Sequence, residues 1–381
     1  MSESNPFLEP PRSPIRRRRG REAAWAGGCL LLGAGGWLLW DRLRSPAPPP
    51  AAGTASSPGT APVPGPPSGP APGVLVKLPA DEAPHRNHME WWYYNGHLEA
   101  ADGRVFSFHY VYFLVNSVVP YTAAQLSLVD HQTRQRHAHA KSSPGNPSAG
   151  ATRGFAFDLG GWVMQGSDGV DVLRAGTADF GLDLRLTDAG PTVFHGGTGL
   201  LDFKEAGSSW YYSRPRMAVE GTLRLDAPVA VKGTAWFDHQ WGDFQPLKLG
   251  WDWFSLRLED GSDLMLYKLR EGEERVVLAA GTLSQGGSDA RLGPGDFQLQ
   301  PLRTWRSPAT GVVYTIAWRL TVPSRRLDVE LQPVLDACEF DGRDSTLMTY
   351  WEGPVRVSGT HAGRGFQEIC PLRPARPKPG T

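Results

Sequence analysis

Alternation of apolar and polar residues runs through most of this chain from Glu90 onward, and it constrains the fold more than any other feature. Successive side chains of a β-strand point to opposite faces of a sheet, so a period of two indicates strands with a buried face, whereas a helix would show a period near 3.6. The clearest runs have apolar residues at Phe106, Phe108, Tyr110, Tyr112 and Leu114, at Phe180, Leu182, Leu184 and Leu186, and at Tyr314, Ile316, Trp318, Leu320 and Val322. The pattern predicts an all-β fold.

The number of these runs predicts the architecture. About eight candidate strands lie between Glu90 and Trp241 and about eight more between Trp251 and Cys370, a number that suits closed antiparallel barrels. We therefore predict two tandem barrels, residues 78–245 and 246–373, followed by a tail at 374–381. A pair of β-sandwiches is the structural alternative, because alternation is common to both architectures.

The N-terminal region predicts a membrane anchor. Residues 23–40 carry no charge, and as a helix they would extend about 27 Å, close to the hydrocarbon thickness of a bilayer. Five arginines closely precede this segment in the basic tail 1–22, at residues 16–19 and 21, and only two follow it closely, at Arg42 and Arg44. The positive-inside bias places the tail in the cytoplasm, so we expect a single-pass protein of the inner (cytoplasmic) membrane with its folded part on the periplasmic or extracellular side.

Residues 41–77 are predicted to be a linker. Within them, 45–73 contains 11 prolines in 29 residues and no charge, a composition typical of an extended polyproline-type spacer. The whole chain has a formal net charge of zero and its arginine run is explained by topology, so no nucleic-acid partner is predicted. Cys338 and Cys370 could pair in an oxidising compartment, and the sequence leaves this disulfide open.

Three tryptophan-rich motifs carry a family resemblance: HMEWWYYNG at 88–96, AWFDHQWG at 235–242 and WDWFSL at 251–256. With these, and with the shorter runs YYS at 211–213 and YWEG at 350–353, the chain resembles the AttH and hydroxyneurosporene synthase (carotenoid 1,2-hydratase) family, often labelled predicted secreted hydrolases. The resemblance implies two lipocalin-like domains. It also implies either hydration of a terminal carotenoid double bond, pericyclic cyclisation as in fungal relatives, or the unassigned role of AttH-type members encoded with ABC transporters.

Alternation along two of these motifs predicts a shared site. His88, Glu90, Trp92 and Tyr94 fall on one face of the first strand, and His239 and Trp241 fall on the apolar face of the last strand of the first barrel, whereas Asp238 falls on the opposite face. Closure of a barrel pairs its first strand with its last, so we expect Glu90 and His239 to be neighbours directed inward.

These residue types suit acid-catalysed addition of water to an alkene. Such a reaction needs an acid that protonates carbon, an electron-rich wall for the resulting cation, and a positioned water. We predict Glu90, held protonated by burial, with His239 and Asp238 as catalytic residues. The predicted ligand-binding residues are His88, Trp92, Tyr94, Tyr110 and Trp241.

Structural roles remain open for the same residues. The aromatic residues of the first motif could be barrel packing, and Asp238 with His239 could be a structural hydrogen-bonded pair. A metal site of His88, Glu90 and His239 is a third alternative, although no metal or cofactor is predicted. The sequence has no Gly-x-Ser-x-Gly nucleophile elbow, so the label hydrolase has no support from its motifs.

Two functional hypotheses follow. The first is a membrane-anchored, exported lipocalin-like protein that binds an apolar lipid- or terpenoid-like ligand, with an ABC transporter as a candidate partner. The second is a hydratase- or cyclase-type enzyme, a hydro-lyase similar to carotenoid 1,2-hydratase.

Overall fold

The computed structural model describes residues 73–146, 153–272, 275–343, 345–346 and 348–372. This part of the chain forms β-strands joined by turns and short 3-10 segments, without an α-helix, so the all-β prediction is confirmed for it. No helix in these residues has the length and apolar character needed to cross a membrane. The predicted tail 1–22, anchor 23–40, most of the linker 41–77 and the tail 374–381 lie outside the described residues.

The first sheet contains twelve strands. They are β1 (Met89–Ala100), β2 (Val105–Val115), β3 (Tyr121–Asp130), β4 (Gln135–Pro144), β5 (Phe155–Leu159), β6 (Trp162–Ser167), β7 (Val170–Gly176), β8 (Gly181–Asp188), β9 (Val193–Phe194), β10 (Leu200–Asp202), β11 (Gly207–Arg224) and β12 (Pro228–Phe244). Their order is β4-β3-β2-β1-β12-β11-β8-β7-β6-β5, with the short β9 and β10 paired to β11. The pairing of the first strand with the last, expected for closure, is confirmed.

The second sheet contains ten strands. They are β13 (Leu249–Leu258), β14 (Asp263–Glu271), β15 (Arg275–Gln285), β16 (Ser288–Leu292), β17 (Gln298–Arg306), β18 (Val313–Val322), β19 (Leu327–Pro333), β20 (Glu339–Gly342), β21 (Met348–Gly359) and β22 (Gly363–Cys370). Their order is β16-β15-β14-β13-β22-β21-β19-β18-β17, with β20 paired to β21.

The prediction of two closed barrels is confirmed only in part. The first sheet is a nearly closed barrel and the second is a half-barrel. In the first, β4 and β5 stand at opposite ends of the strand order, and side chains bridge them: Lys141 on β4 donates to the carbonyl of Gly160 at 2.7 Å and its ammonium lies 5.2 Å from the Trp162 ring. In the second, β16 and β17 are the two ends of the order.

The two sheets pack against each other, and this contact buries both faces of the strands at the centre of the first sheet. The interior face of β1, β2 and β12 carries a core that includes Trp92, Tyr110 and Phe237. Their other face carries Tyr93, Val111 and Trp236, which pack with the second sheet through Trp253, Met265, Tyr267 and Phe366. At the centre of these strands, residues on both faces are therefore buried, not only alternate ones.

The half-barrel has its own apolar core. It includes Phe254, Leu266, Ile316, Leu320 and Val355, all fully buried. Cys338 and Cys370 are both buried thiols, so the disulfide that the sequence left open is not formed.

Candidate active site

The antiparallel pair of β1 and β12 carries most of the chemistry predicted from the sequence. Trp92 is opposite His239, Glu90 is opposite Trp241, and Tyr93 is opposite Asp238. Because alternate residues of each strand face opposite sides, this one register divides the predicted residues between two sites.

On the interior face, Glu90 is held by two histidines. Its Oε1 accepts hydrogen bonds from His239 Nε2 at 2.8 Å and from His85 Nδ1 at 2.7 Å, and its Oε2 accepts one from the backbone N–H of His85 at 2.7 Å. The Glu90 and His239 side chains are fully buried. The sequence-based expectation that both point inward is therefore confirmed.

The protonation state of Glu90 differs from the prediction. Burial acts to raise its pKa, but hydrogen bonds from His239 and His85 outweigh burial and leave the pKa below its ordinary value. Burial also lowers the pKa of His239, to about 4. Near neutral pH Glu90 is thus ionised and His239 is neutral, so the prediction that burial holds Glu90 protonated is wrong, while its catalytic role stays a prediction.

Aromatic rings fill the space around this interior group. The Trp241 ring stacks on the His85 ring with centroids 4.1 Å apart, and Trp92 stacks against His239 at 4.4 Å. Trp92 is fully buried, and its indole N–H donates to the carbonyl of Glu82 at 3.2 Å. The two histidines beside Glu90 are therefore packed against tryptophan rings on the interior face of the first sheet.

The other face of β12 presents Asp238 to the second sheet. Its carboxylate accepts hydrogen bonds from the Tyr211 hydroxyl at 2.7 Å, from the Trp236 indole N–H at 2.6 Å and from the Ser213 hydroxyl. Burial raises the pKa of Asp238 to about 7 in spite of these three donors. Asp238 is therefore a buried carboxyl that can carry a proton near neutral pH.

A hydrogen-bonded chain runs from Asp238 to the half-barrel. His195 Nε2 lies 2.6 Å from the Ser213 hydroxyl oxygen, and His195 Nδ1 lies 3.0 Å from the Thr282 hydroxyl oxygen on β15. Burial lowers the pKa of His195 to about 3, so its ring is neutral. With Nε2–H donating to Ser213, Nδ1 accepts from Thr282, and the serine stands between the histidine and the acid. This order differs from the Ser-His-Asp arrangement of hydrolases, in which the histidine is central.

Two further carboxyls come from the second sheet. Glu352 on β21 and Glu368 on β22 are direct cross-strand partners. Burial and the neighbouring charge of Glu368 raise the pKa of Glu352 well above its ordinary value, and burial raises that of Glu368 to about 7. Glu352 accepts a hydrogen bond from the Tyr93 hydroxyl, and Glu368 accepts one from the Trp251 indole N–H at 3.0 Å.

The three carboxyls line one cavity between the sheets, of about 60 Å³. Aromatic side chains form much of its wall: Trp91, Tyr93, Phe113, Tyr211, Phe244, Trp251, Trp253, Tyr267 and Tyr350. The cavity therefore combines proton-carrying carboxyls with electron-rich rings.

Comparison with known proteins decides the family. The model of the AttH-like family matches residues 69–370, which is more than half of the chain. The chain belongs to the AttH-like family. The resemblance carried by the tryptophan-rich motifs is thereby confirmed.

Solved structures agree with this assignment. The AttH-like chain is similar to AttH from Nitrosomonas europaea, with 29% identity and a TM-score of 0.71 over 79% of this chain and 98% of that one. It also shares its fold with kievitone hydratase from Nectria haematococca, with 20% identity and a TM-score of 0.66 over 77% of this chain and 92% of that one. Comparison with curated proteins gives no match.

Other predicted ligand-binding residues of this AttH-like protein lie apart from both sites. His88 precedes β1, and its Nδ1 is 3.3 Å from the carbonyl oxygen of Asn116. The Tyr94 hydroxyl donates to Asp171 at 2.7 Å, and the Tyr110 hydroxyl to the carbonyl of Val163 at 3.4 Å. The two tyrosines are fully buried in the barrel core, so they support the sheet where they stand.

Sequence reasoning missed several residues of the AttH-like site. His85 lies in the segment before β1, where alternation gives no orientation, and it takes the place beside Glu90 that the metal alternative gave to His88. Glu352 had a usable signal, because it lies in the Tyr350-Trp351-Glu352-Gly353 run that also fits the family. Glu368 and His195 had no signal in the strand pattern, because their roles depend on the docking of the second sheet.

Proposed function

We propose that this AttH-like protein is a hydratase-type enzyme that protonates a carbon–carbon double bond of an apolar, polyene- or terpenoid-like substrate in the cavity between the sheets. The observation that carries the proposal is the set of three buried carboxyls with raised pKa values, Asp238, Glu352 and Glu368, in one aromatic cavity. A carboxyl with a pKa near neutrality is suited to general acid catalysis at physiological pH.

Asp238 is the proposed acid. Its proton passes to one carbon of the double bond, and the positive charge develops on the neighbouring carbon. A water molecule adds to that carbon, and its surplus proton passes to Glu368, whose carboxyl faces the same cavity from the other sheet. Exchange with solvent then returns Asp238 to its protonated form and Glu368 to its ionised form. Tyr211, Trp236 and Ser213 orient the Asp238 carboxyl.

The aromatic wall supports the cationic step. A cation near the face of a tryptophan or tyrosine ring is stabilised by about 0.5–2 kcal/mol, most where water is excluded. Trp91, Trp251 and Trp253 all line the cavity and are at most partly exposed. The name of kievitone hydratase, a fold relative at 20% identity, is the reason to choose hydration among the reactions that begin with protonation of an alkene.

The cavity between the sheets is small. A volume of about 60 Å³ admits a few water molecules or the end of a chain-like substrate. Sites that enclose a whole drug-sized molecule occupy about 300–1,000 Å³. Binding of an apolar ligand without reaction at the same cavity is the second candidate function, because the wall is aromatic.

The membrane anchor at residues 23–40, the exported location and the ABC-transporter partner remain proposals. The protease sensitivity of the folded part in spheroplasts checks the anchor and the exported location.

The Asp238→Asn variant tests the proposal. The purified full chain is incubated with a detergent-dispersed carotenoid that has a terminal isoprenoid double bond, in isotopically labelled water, and product mass is measured. Asp238→Asn keeps the side-chain shape but lacks the acid, so we expect a loss of about 10² to 10⁴-fold in turnover with substrate still bound.

The matched control is Asp328→Asn, which removes an exposed carboxyl from a surface ion pair with Arg319 on the half-barrel. We expect its turnover to equal that of the unmodified protein. If the unmodified protein binds the carotenoid without incorporating label, or if Asp238→Asn retains full turnover, the hydratase proposal fails and the binding candidate takes its place.

A further inference from the structure

The interior group of His85, Glu90 and His239 is not used by the proposed reaction, because it lies on the opposite face of β1 and β12 from Asp238. We propose that these three residues form a binding site for a divalent transition-metal ion of the zinc class. The proposal is independent of the hydratase function, and either can fail alone.

The donor set suits such an ion. Two imidazoles and one carboxylate hold catalytic zinc and non-haem iron in proteins, and they leave further coordination positions open. One ligand atom from each of the three residues lies within 4.8 Å of the others. A zinc site with metal–ligand distances of about 2.0–2.1 Å needs ligand atoms about 3.3 Å apart, so small side-chain rotations suffice.

Both histidines have an outer partner for the ring nitrogen that would not bind the metal. His239 Nδ1 lies 3.3 Å from the Tyr212 hydroxyl oxygen, which can accept a hydrogen bond from Nδ1–H and leave Nε2 for the ion. His85 Nε2 lies 3.7 Å from a carboxylate oxygen of Asp81. Metal-binding histidines usually donate their second N–H to a carboxylate, carbonyl or water, which fixes the ring orientation.

The rings are also positioned by packing. Trp241 covers the His85 ring in a nearly parallel stack, with planes 3° apart, and Trp92 stacks against His239. Trp210 lies beside Trp241, with ring centroids 6.3 Å apart, and extends this aromatic shell. Such support limits the reorganisation required when an ion enters.

Access is on the His85 side. The His85 side chain is 21% exposed, whereas Glu90 and His239 are fully buried. An ion can therefore arrive from solvent at His85 and reach the two buried ligands. When it binds, the N–H of each imidazole is on the outer nitrogen instead of the nitrogen that faces Glu90, so each ring binds as a neutral ligand.

Zinc titration of the full chain tests the site. The protein is stripped with a chelator, dialysed and titrated with Zn²⁺ by calorimetry, and cobalt(II) is added to a second sample as a visible-absorption probe of ligand geometry. We expect one bound ion per chain and an absorption pattern of a four- or five-coordinate cobalt site. The absence of stoichiometric binding in the unmodified protein overturns the proposal and leaves a hydrogen-bonded structural group.

Three variants make the assignment specific. His85→Ala is expected to weaken zinc binding about 100-fold, and Asp81→Asn, at a partly exposed outer position, about 10-fold. His88→Ala is the matched control, because His88 is also half-buried and only three residues away, and its affinity should be unchanged. Circular dichroism checks folding. Binding that survives His85→Ala with full affinity, or that is lost in His88→Ala instead, assigns the ion to other residues and refutes the proposal.

Discussion

The two faces of the β1–β12 strand pair are similarly buried, but the pKa values of their carboxyls are shifted in opposite directions. Glu90 and Asp238 are both buried, yet the pKa of Glu90 is lowered while that of Asp238 is raised to about 7. Glu90 accepts hydrogen bonds from two imidazoles and a backbone N–H, whereas Asp238 accepts them from hydroxyl and indole groups. Burial alone therefore does not decide whether a carboxyl is an acid or an anion, because the hydrogen bonds that it accepts can outweigh burial, as they do at Glu90 but not at Asp238.

The largest expected effect on stability is on the interior face. Glu90→Leu removes the acceptor of two imidazoles and one backbone N–H, and it leaves buried polar groups without that partner. We expect a loss of about 3 kcal/mol in the free energy of unfolding, measured by urea denaturation. Glu99→Leu on the same strand, where Glu99 is exposed, is the control and should change stability by about 0.5 kcal/mol or less. Equal effects of the two variants would contradict the difference between interior and surface.

The second expected effect is that the two faces change the free energy of unfolding with pH in opposite directions. A carboxyl with a raised folded-state pKa keeps its proton longer when folded, so the contribution of Asp238 to stability falls as pH rises from its ordinary value of 3.8 toward 7. His239 has its pKa lowered from 6.5 to about 4, so the unfolded state binds more protons in that range and the contribution of His239 rises with pH.

Asp238→Asn removes only the falling contribution. Relative to the unmodified protein, the variant should gain on the order of 2 kcal/mol in unfolding free energy as pH rises from about 5 to about 8. Urea unfolding at both pH values measures the gain, and the unchanged His239 serves as an internal reference. A constant difference between the two proteins would show that the pKa of Asp238 is not raised by folding.

The smallest effect concerns the contact between the sheets. Thr282→Val removes the hydroxyl that donates to His195 Nδ1 and should cost about 1 kcal/mol of unfolding free energy. Thr321→Val, at a half-buried threonine on β18, is the comparison and should cost less. A neutral Thr282→Val variant would indicate that the chain from Asp238 through Ser213 and His195 does not depend on the second sheet.

The alternation of residues along the chain predicted more of the fold than of the candidate active site. The alternation of residues predicted the strands, and barrel closure predicted the pairing that places Glu90 beside His239. Both inferences need only the period of two along the chain. The predicted protonation state of Glu90 was wrong because it depends on hydrogen bonds from both His239 and His85, and the segment of His85 has no strand periodicity. The environment of Asp238 was out of reach because the second sheet, which is distant in sequence, buries that face.

The degree of barrel closure and the packing of the barrel core could also not be predicted from the sequence. Strand counting could not distinguish a closed barrel from a half-barrel, because β9, β10 and β20 are too short to alternate. The core of the first sheet depends on Trp92, Tyr110, Phe155 and Phe157 packing across the barrel, which no single strand reveals.

Asp238 and His239 are adjacent on one continuous strand, and this limits where the chain can accept insertions and deletions. Inserting or deleting a single residue before them in β12 would exchange the faces of both side chains at once, sending the acid into the aromatic core and the imidazole toward the second sheet. The same holds for Glu90 and its neighbour Trp91 on β1. Length variation compatible with both sites is therefore confined to the turns, and any insertion tolerated inside these strands must come as a pair of residues or as a bulge that restores the phase.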